Sequence, residues 1–360
     1  MPAPSSSDPA IQAIDDLLGS VGLEHGHRRV RRTLPNFRRQ DKQLETQPET
    51  SALRLRAAQS IPFLEVPSWQ PTVAHGFSTR AGGYSTVYHS TAEEQHRSDS
   101  GACDPLGELN LGFTASDTPE NVRANRAALL ASVWSAEYAD TSEPVLITLK
   151  QIHSGIAYRV NRETPVIGDE LRGDGLMTED PGVMLGVQTA DCVPVLVRDR
   201  RGGAVAAFHA GWRGTLKRIV EGGVGRMRLE FGSRPEDLEA AIGPAIGACC
   251  YAVGEEIRHE FLSQFSYAEA LFTEVYDSDP VKEKYPLLFM TARAPGHSDM
   301  GPSLHLDLAA GNRRQLLDAG VRPEAIHMAH TCTACHRRQY YSHRAEHGFC
   351  GRMMAVIARR

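Results

Sequence analysis

Apolar and polar residues follow two different periods along the chain from about Ile61 onward. Short apolar runs bounded by Gly, Pro or Asp are typical of buried β-strands, and they occur at 145–149, 182–187, 193–197 and 204–208. Residues 325–329 and 353–358 are predicted to be two late strands. Helical spacing with charged residues in between predicts an amphipathic helix through Leu216, Ile219, Val220, Val224 and Met227. Two further helices are predicted at 255–265 and 306–317. Strands interspersed with helices, without an internal repeat, predict an α+β fold of mixed β-sheets with flanking helices in a single compact domain.

Residues 1–60 differ from this pattern. They begin with Pro-Ala-Pro-Ser-Ser-Ser and continue through an arginine-rich stretch, with one short amphipathic piece at 11–18. The low apolar content predicts a flexible N-terminal extension, although the arginines would also suit RNA or an acidic partner. The segment 86–107 is similarly polar and is predicted to be a surface insertion in a domain that spans 61–360.

Composition narrows the class of protein. The 360 residues are 41% hydrophobic and 23% charged, which is typical of a globular protein. The formal net charge of −5 gives no basic field for a nucleic acid, and the longest weakly polar run, 181–197, carries Asp191 near its middle and is short for a membrane span. Seven cysteines without an export signal predict reduced thiols and a cytoplasmic location.

Three segments place reactive side chains at the ends of predicted strands. His153 follows the strand at 145–149, Cys192 lies between two apolar runs, and His209 ends the run at 204–208. Two imidazoles and one thiol suit a borderline-soft ion such as Zn²⁺ and leave a fourth position for water or substrate. Taken singly, each of these residues would more often be structural, and their separations match no short zinc-binding pattern.

The neighbours of these residues add to the prediction. Asp191 next to Cys192 would orient a ligating imidazole or accept backbone N–H groups at a turn. Arg213 follows His209 at a predicted helix start, where an anion such as phosphate is favoured, although a surface ion pair is an equal alternative.

Four motifs in order make the sequence similar to a known family. They are Gln151-Ile-His-Ser154, Thr189-Ala-Asp-Cys-Val-Pro194, His209-Ala-Gly-Trp-Arg-Gly214 and Ile242-Gly-Pro-Ala-Ile-Gly247. The chain resembles the laccase-domain family, also called polyphenol-oxidase-like proteins or peptidoglycan editing factors, whose members are understood as purine nucleoside phosphorylases. The resemblance covers about 61–360 and includes His75-Gly-Phe-Ser-Thr-Arg80 and Tyr341-Ser-His-Arg344.

The resemblance implies a zinc-dependent phosphorylase whose metal-binding and catalytic residues are His153, Cys192 and His209. Its partners would be phosphate and a purine nucleoside: adenosine, inosine or S-methyl-5'-thioadenosine. Adenosine deamination is the implied side activity. Arg80, whose planar fork suits phosphate oxygens, is predicted to contact phosphate or substrate together with Arg213 and Asp191.

Other functions remain open at this point. A copper polyphenol oxidase would use Cu²⁺ at the same three residues, and a hydrolase acting on peptidoglycan would use Cys192 as nucleophile and His209 as base. A non-catalytic binding protein is a further alternative. The motif Cys332-Thr-Ala-Cys335-His336 resembles a haem attachment site or, with His343 and Cys350, a zinc site, whereas Cys249 and Cys250 are predicted to be packed thiols. Neither the oligomeric state nor the preferred nucleoside follows from the sequence.

Overall fold

The computed structural model describes residues 29–31, 53–58, 61–70, 72–88, 107–134, 144–164, 171–277 and 303–360. The chain divides into two compact units, of which the smaller comprises 1–35 and 274–303 and the larger 36–273 and 304–360. In the smaller unit, strand β1 (Arg29–Arg31) pairs antiparallel with residues 275–277 of β15 (Phe272–Asp277).

Among the described residues, the larger unit holds the helices and the remaining strands, apart from Ser303 at the start of β16. Its other strands are β2 (Arg54–Ala58), β3 (Ile61–Glu65), β4 (Val73–Ser78), β5 (Ala81–Gly83), β6 (Gly107–Glu108), β7 (Val145–Ile147), β8 (Ala157–Arg159), β9 (Gly175–Thr178), β10 (Val183–Thr189), β11 (Val193–Asp199), β12 (Val205–Ala210), β13 (Leu238–Ile242), β14 (Ala252–Val253), β16 (Ser303–Leu306), β17 (Ile326–Met328) and β18 (Met353–Arg359). Its α-helices are α1 (Pro119–Val133), α2 (Trp212–Leu216), α3 (Ile219–Phe231), α4 (Glu255–Gln264) and α5 (Leu308–Asp318).

Two six-stranded sheets organise this unit. The first has the strand order β2-β3-β4-β18-β10-β7, and the second has the order β17-β13-β11-β12-β9-β8. Most neighbours are antiparallel, but β10 and β7, β13 and β17, and β8 and β9 run parallel. The predicted fold of mixed sheets with flanking helices is therefore confirmed.

The apolar runs of the sequence are buried on both faces of these sheets. Along β18, Ala355 and Ile357 pack between the two sheets, where they share a core with Leu196 of β11. The alternate residue Val356 faces the other way and packs with Leu129 of α1. Because both faces of a central strand are covered, its sequence is apolar at every position rather than at every second one.

The opposite face of the second sheet is covered by α3 and α5. Phe208 of β12 lies in one core cluster with Val224 of α3 and Leu316 of α5. The larger unit is thus layered as helix, sheet, sheet and helices, and Cys192 and His209 lie at the ends of β11 and β12, the two central strands of the second sheet.

Two elements differ from the sequence prediction. The helix predicted through Leu216 and Met227 is two helices, because Arg218 between α2 and α3 has a φ of 56° and cannot continue a right-handed helix. Residues 54–58, predicted to be extension, form β2 and pair with β3.

Several predictions concern parts of the chain that lie outside the described residues. These are the amphipathic piece at 11–18, most of the N-terminal extension and residues 89–106 of the surface insertion. The proposed division at residue 60 stays a prediction. Within the described ranges, no helix combines the length and apolar character needed to cross a bilayer.

A candidate metal-binding active site

The second sheet brings three predicted ligands together where β11 begins and β12 ends: His153, Cys192 and His209. Cys192 lies in the turn that joins β10 to β11, and antiparallel pairing of Pro194 with His209 brings the end of β12 beside it. His153 reaches the same place from the loop after β7. One ligand atom from each residue lies within 4.8 Å of the others, the Cys192 Sγ to His153 Nε2 distance is 3.8 Å, and the two imidazole centroids are 5.0 Å apart.

The backbone at two of these positions is strained. His153 has a φ of 55° and Asp191, directly before Cys192, a φ of 85°. Non-glycine residues rarely adopt these angles, which cost about 1–3 kcal/mol each and persist where the surroundings enforce them.

Gly211 provides the space that the cluster needs. A Cβ at this position would lie 2.8 Å from Cys192 Sγ and 2.8 Å from His153 Cδ2. Any side chain here would therefore displace two of the three candidate ligands. Gly211 stands inside the recognised His-Ala-Gly-Trp motif, but its packing role could not be read from the sequence.

Asp174 orients both histidines, and sequence reasoning missed it. This fully buried residue, in the turn before β9, accepts a hydrogen bond from His209 Nδ1 at 2.8 Å through Oδ1. The same carboxylate accepts from the backbone N of His153 at 3.0 Å and from Ser154 Oγ at 2.7 Å. A carboxylate on Nδ1 directs Nε2 of His209 toward the cluster. The only sequence signal was an acidic residue, between two glycines, at the start of an apolar strand.

Electrostatics in the cluster favour a thiolate. Burial by itself would raise the pKa of Cys192, but the charge of His209 and hydrogen bonds from His153 and His209 outweigh it and lower the pKa to about 6. Burial would likewise lower the pKa of His209, yet Cys192 and Asp174 raise it to about 9. For Asp174, the hydrogen bonds from His209 and Ser154 outweigh burial and lower the pKa.

The donor set fits a metal ion. Two imidazole nitrogens and a thiolate suit Zn²⁺, for which a tetrahedral site places sulfur and nitrogen ligands about 3.6 Å apart. The observed 3.8 Å between Cys192 Sγ and His153 Nε2 is close to that edge. His153, Cys192 and His209 would supply three ligands of a tetrahedral ion, and water or substrate would supply the fourth.

Asp191 takes one of its two predicted roles. Its carboxylate accepts from Thr333 Oγ1 at 2.6 Å and from the backbone N of Arg344 at 2.7 Å. It therefore accepts a backbone N–H group, whereas the carboxylate that orients an imidazole is that of Asp174. Through Asp191, the segment around Arg344 is fixed beside Cys192.

The two predicted phosphate-binding arginines are in different environments. Arg80 is buried and pairs with Glu108 at 2.7 Å and with Glu346 at 3.1 Å, and its guanidinium lies over the Tyr341 ring. Its fork is thus engaged by two carboxylates, so the geometry does not support the predicted phosphate contact.

Arg213 is exposed and lies over the Trp212 ring. Nearby Tyr251 is affected by both the cluster and this arginine. Burial, followed by the charge of Cys192, raises the pKa of the Tyr251 phenol to about 12, and the charges of Arg344 and Arg213 oppose the rise. The guanidinium of Arg344 is 5.1 Å from the Tyr251 ring centroid. Arg344 therefore packs against Tyr251, and Arg213 packs against the Trp212 ring.

Residues 74–360 match the model of a known family, the multi-copper polyphenol oxidoreductase laccase family. The chain belongs to this family. Membership of the laccase family implies metal binding, and the cluster of His153, Cys192 and His209 is a site where the described residues would provide it.

Characterised relatives of this laccase-family chain carry enzyme names. It is 34% identical to a purine nucleoside phosphorylase of Deinococcus radiodurans over 83% of this chain and 94% of that one. It is also 33% identical to adenosine deaminase RL5 of an unknown prokaryotic organism, over 48% of this chain and 56% of that one. Among solved structures it is similar to the hypothetical protein YfiH of Bacillus licheniformis, with a TM-score of 0.65, 28% identity, and coverage of 85% of this chain and 99% of that one.

Proposed function

We propose that this laccase-family chain is a zinc-dependent purine nucleoside phosphorylase. It would transfer the ribosyl group of adenosine or inosine, or the methylthioribosyl group of S-methyl-5'-thioadenosine, to phosphate and release the free base. The observation that carries the proposal is the convergence of His153, Cys192 and His209, whose three ligand atoms lie within 4.8 Å of one another. The phosphorylase name of the Deinococcus relative, which aligns over nearly its whole length, supports the choice of reaction.

In this proposal, three residues bind the metal ion and a fourth orients one of these ligands. His153, Cys192 and His209 hold the ion, and Asp174 keeps His209 in the tautomer that presents Nε2 to it. A bound Zn²⁺ supplies a Lewis acid and an activated water or substrate oxygen at the open position.

Phosphate binding is assigned to the cationic side of the site. The charges of Arg213 and Arg344 lower the pKa of Tyr251, and the charge of Cys192 raises it. The guanidinium of Arg344 also lies over the Tyr251 ring. A guanidinium binds phosphate oxygens through parallel N–H donors, and two of them would hold the nucleophile against the developing positive charge of the ribose.

Adenosine deamination is the second proposed activity. The similarity to adenosine deaminase RL5 favours it, and a bound Zn²⁺ would supply the activated water that replaces the amino group at C6 of adenine, with ammonia as the second product. The copper oxidase and the Cys–His hydrolase are the competing assignments that the experiment must separate.

The test is product analysis on adenosine, inosine and S-methyl-5'-thioadenosine, with phosphate supplied or withheld and with a chelator. We expect hypoxanthine from inosine only when phosphate is present, and loss of this activity with the chelator and in His153→Ala. His259→Ala, an exposed histidine on α4, is the matched control and should keep full activity. Base release that needs neither phosphate nor metal would instead identify a Cys–His hydrolase, and oxidation of phenols by copper-loaded protein would identify an oxidase.

A further inference from the structure

A second set of metal-ligating side chains lies outside the active site. The Sγ atoms of Cys249, Cys250, Cys332 and Cys335 all lie within 4.8 Å of one another. Cys335 Sγ is 3.5 Å from Cys249 Sγ and 3.4 Å from Cys250 Sγ. The sequence predicts packed thiols at Cys249 and Cys250 and a separate motif at Cys332 and Cys335. It does not indicate that these two pairs form one cluster.

The sheet brings these cysteines together. Strands β13 and β17 are parallel neighbours, with Ile242 opposite Met328, and each continues into one of the two cysteine-bearing loops. The pairing extends beyond the strands, since Ala245 bridges Cys332 and the backbone N of Thr333 donates to Ala245 O at 3.0 Å. Two pairs of cysteines from remote parts of the chain therefore meet at a fixed register.

Each loop then folds so that its two thiols face the same point. In the first, the backbone N of Cys250 donates to Gly247 O at 2.9 Å, and in the second the N of His336 donates to Cys332 O at 3.2 Å. The backbone N of Gly247 also donates to Cys332 Sγ at 3.2 Å. Donation from an amide stabilises charge on sulfur, as the ligands of a thiolate site require.

Gly247 also leaves room for the thiols. A Cβ on this residue would lie 3.2 Å from both Cys249 Sγ and Cys332 Cβ. The backbone at Gly247 therefore packs closely against the side chains of Cys249 and Cys332.

We propose that Cys249, Cys250, Cys332 and Cys335 bind a second metal ion, Zn²⁺ or another thiophilic divalent cation, in a tetrahedral four-thiolate site. With a Zn–S bond of about 2.3 Å, the sulfur atoms of such a site are about 3.8 Å apart; the separations of 3.5 and 3.4 Å from Cys335 lie slightly below this value, and every pair lies within 4.8 Å. Four protein ligands leave no open position, so the ion is structural rather than catalytic.

A disulfide explains the same cluster less well. The separations of Cys335 Sγ from Cys249 Sγ and Cys250 Sγ, 3.5 and 3.4 Å, are well beyond a disulfide bond of about 2.05 Å. The neighbours Cys249 and Cys250 are too close along the chain to pair readily with each other, and one disulfide would leave two of the four thiols without a role.

The two cysteine-bearing loops are hydrogen-bonded to the segment that carries the active-site thiol. Thr333, next to Cys332, donates to Asp191, and the backbone N of Ile246 donates to Asp191 O at 2.9 Å. Both loops therefore hold Asp191, which directly precedes Cys192. A cation that clamps the two loops would fix the backbone on which the active-site thiolate is carried.

The test is the metal content of the purified full-length protein, measured by mass spectrometry of the elements. We expect two equivalents per chain in the wild type, one in Cys249→Ser/Cys335→Ser, and two in the control Cys350→Ser, which changes a buried cysteine outside both clusters. Cys192→Ala, which disables the other site, should still bind one equivalent.

A second measurement keeps the proposal falsifiable if the double variant fails to fold. Cys192→Ala loaded with Co²⁺ should show the intense thiolate-to-cobalt absorption of several sulfur ligands, and a chelator should make the four thiols available to alkylation. Complete loss of metal from Cys192→Ala would overturn the proposal, and so would a disulfide among the four cysteines detected by intact mass. Neither result depends on phosphorylase activity, so this proposal and the proposed function can fail separately.

Discussion

His209 Nδ1 donates to Asp174 Oδ1 over 2.8 Å inside the protein, where the aspartate side chain is fully buried. The same carboxylate accepts from the backbone N of His153. One buried charge thereby positions two of the three candidate metal ligands, although the residues involved come from three different segments of the chain.

Asp174→Asn tests this relationship. An amide can accept only on its oxygen, so the substitution removes the charge that fixes His209 and replaces one acceptor with a donor that faces backbone N–H groups. We expect metal affinity and turnover to fall by roughly 10–100-fold, as is usual for loss of a residue that orients a metal-ligating histidine. Competition with a chromogenic chelator measures the affinity.

Asp199→Asn is the matched control for this change. Asp199 is also buried and also accepts backbone N–H groups, from Arg201 and Gly202, but it lies at the far end of β11. Its substitution should lower stability without changing metal affinity. Equal affinity in Asp174→Asn and wild type would show that the carboxylate does not act on the metal site.

Gly211→Ala should disrupt the cluster through volume alone. The new methyl group would lie 2.8 Å from both Cys192 Sγ and His153 Cδ2, which forces at least one of these side chains to move. We expect weakened metal binding with little change in charge or hydrogen bonding. Gly222→Ala, in α3 where nothing lies within 4 Å of the added Cβ, is the control and should be neutral or slightly stabilising. Undiminished metal binding in Gly211→Ala would contradict the close packing seen here.

Arg80→Met separates a structural from a substrate-binding role. Removing the guanidinium takes the cationic partner from the buried Glu108 and the half-buried Glu346, which still accept hydrogen bonds from Tyr341 and the backbone N of Ser342. Loss of one partner of a buried ion pair typically costs about 3–5 kcal/mol in the free energy of unfolding. Urea denaturation measures the loss, and Arg123→Met, an exposed arginine of α1 paired with Glu120, should change stability by less than about 1 kcal/mol. A stable Arg80→Met protein with a raised KM for phosphate would restore the phosphate contact predicted from the sequence.

His75 should make the protein sensitive to acid. Its Nε2 accepts from the backbone N of Val66 at 2.8 Å and its Nδ1 lies 3.3 Å from Val73 O, so the buried ring is bonded in its neutral form. Burial lowers the pKa of this histidine from 6.5 to about 3. Between these pH values the unfolded chain binds the additional proton, and stability therefore falls as the pH falls.

The expected loss from this histidine is about 2 kcal/mol between pH 7 and pH 5, on the basis of about 1.4 kcal/mol per pH unit below the unfolded pKa. Urea denaturation of wild type and His75→Gln at both pH values measures it, because the variant lacks the titrating ring. His330→Ala, an exposed histidine, should retain the wild-type pH dependence. The same pH dependence in His75→Gln would exclude His75 as its source.

The local pattern of the sequence was sufficient for most elements and for the three candidate ligands. The apolar runs at β10, β11, β12 and β18 became strands buried on both faces, because such runs have no polar face to leave in water. His153, Cys192 and His209 were identifiable because each stands where a strand ends, which is where a sheet presents side chains that do not pack into its core.

The tertiary structure decided everything that depends on which distant segments meet. Asp174 reaches His209 through the pairing of β9 with β12, Arg80 meets Glu346 across the chain, and Cys250 meets Cys335 through the pairing of β13 with β17. Periodicity records only whether a residue faces the interior, whereas strand order and register determine which residue it faces there. For that reason the sequence by itself indicated most of the strands and the three candidate metal ligands, and only the folded chain showed the carboxylate that bonds to His209 and the second group of thiols.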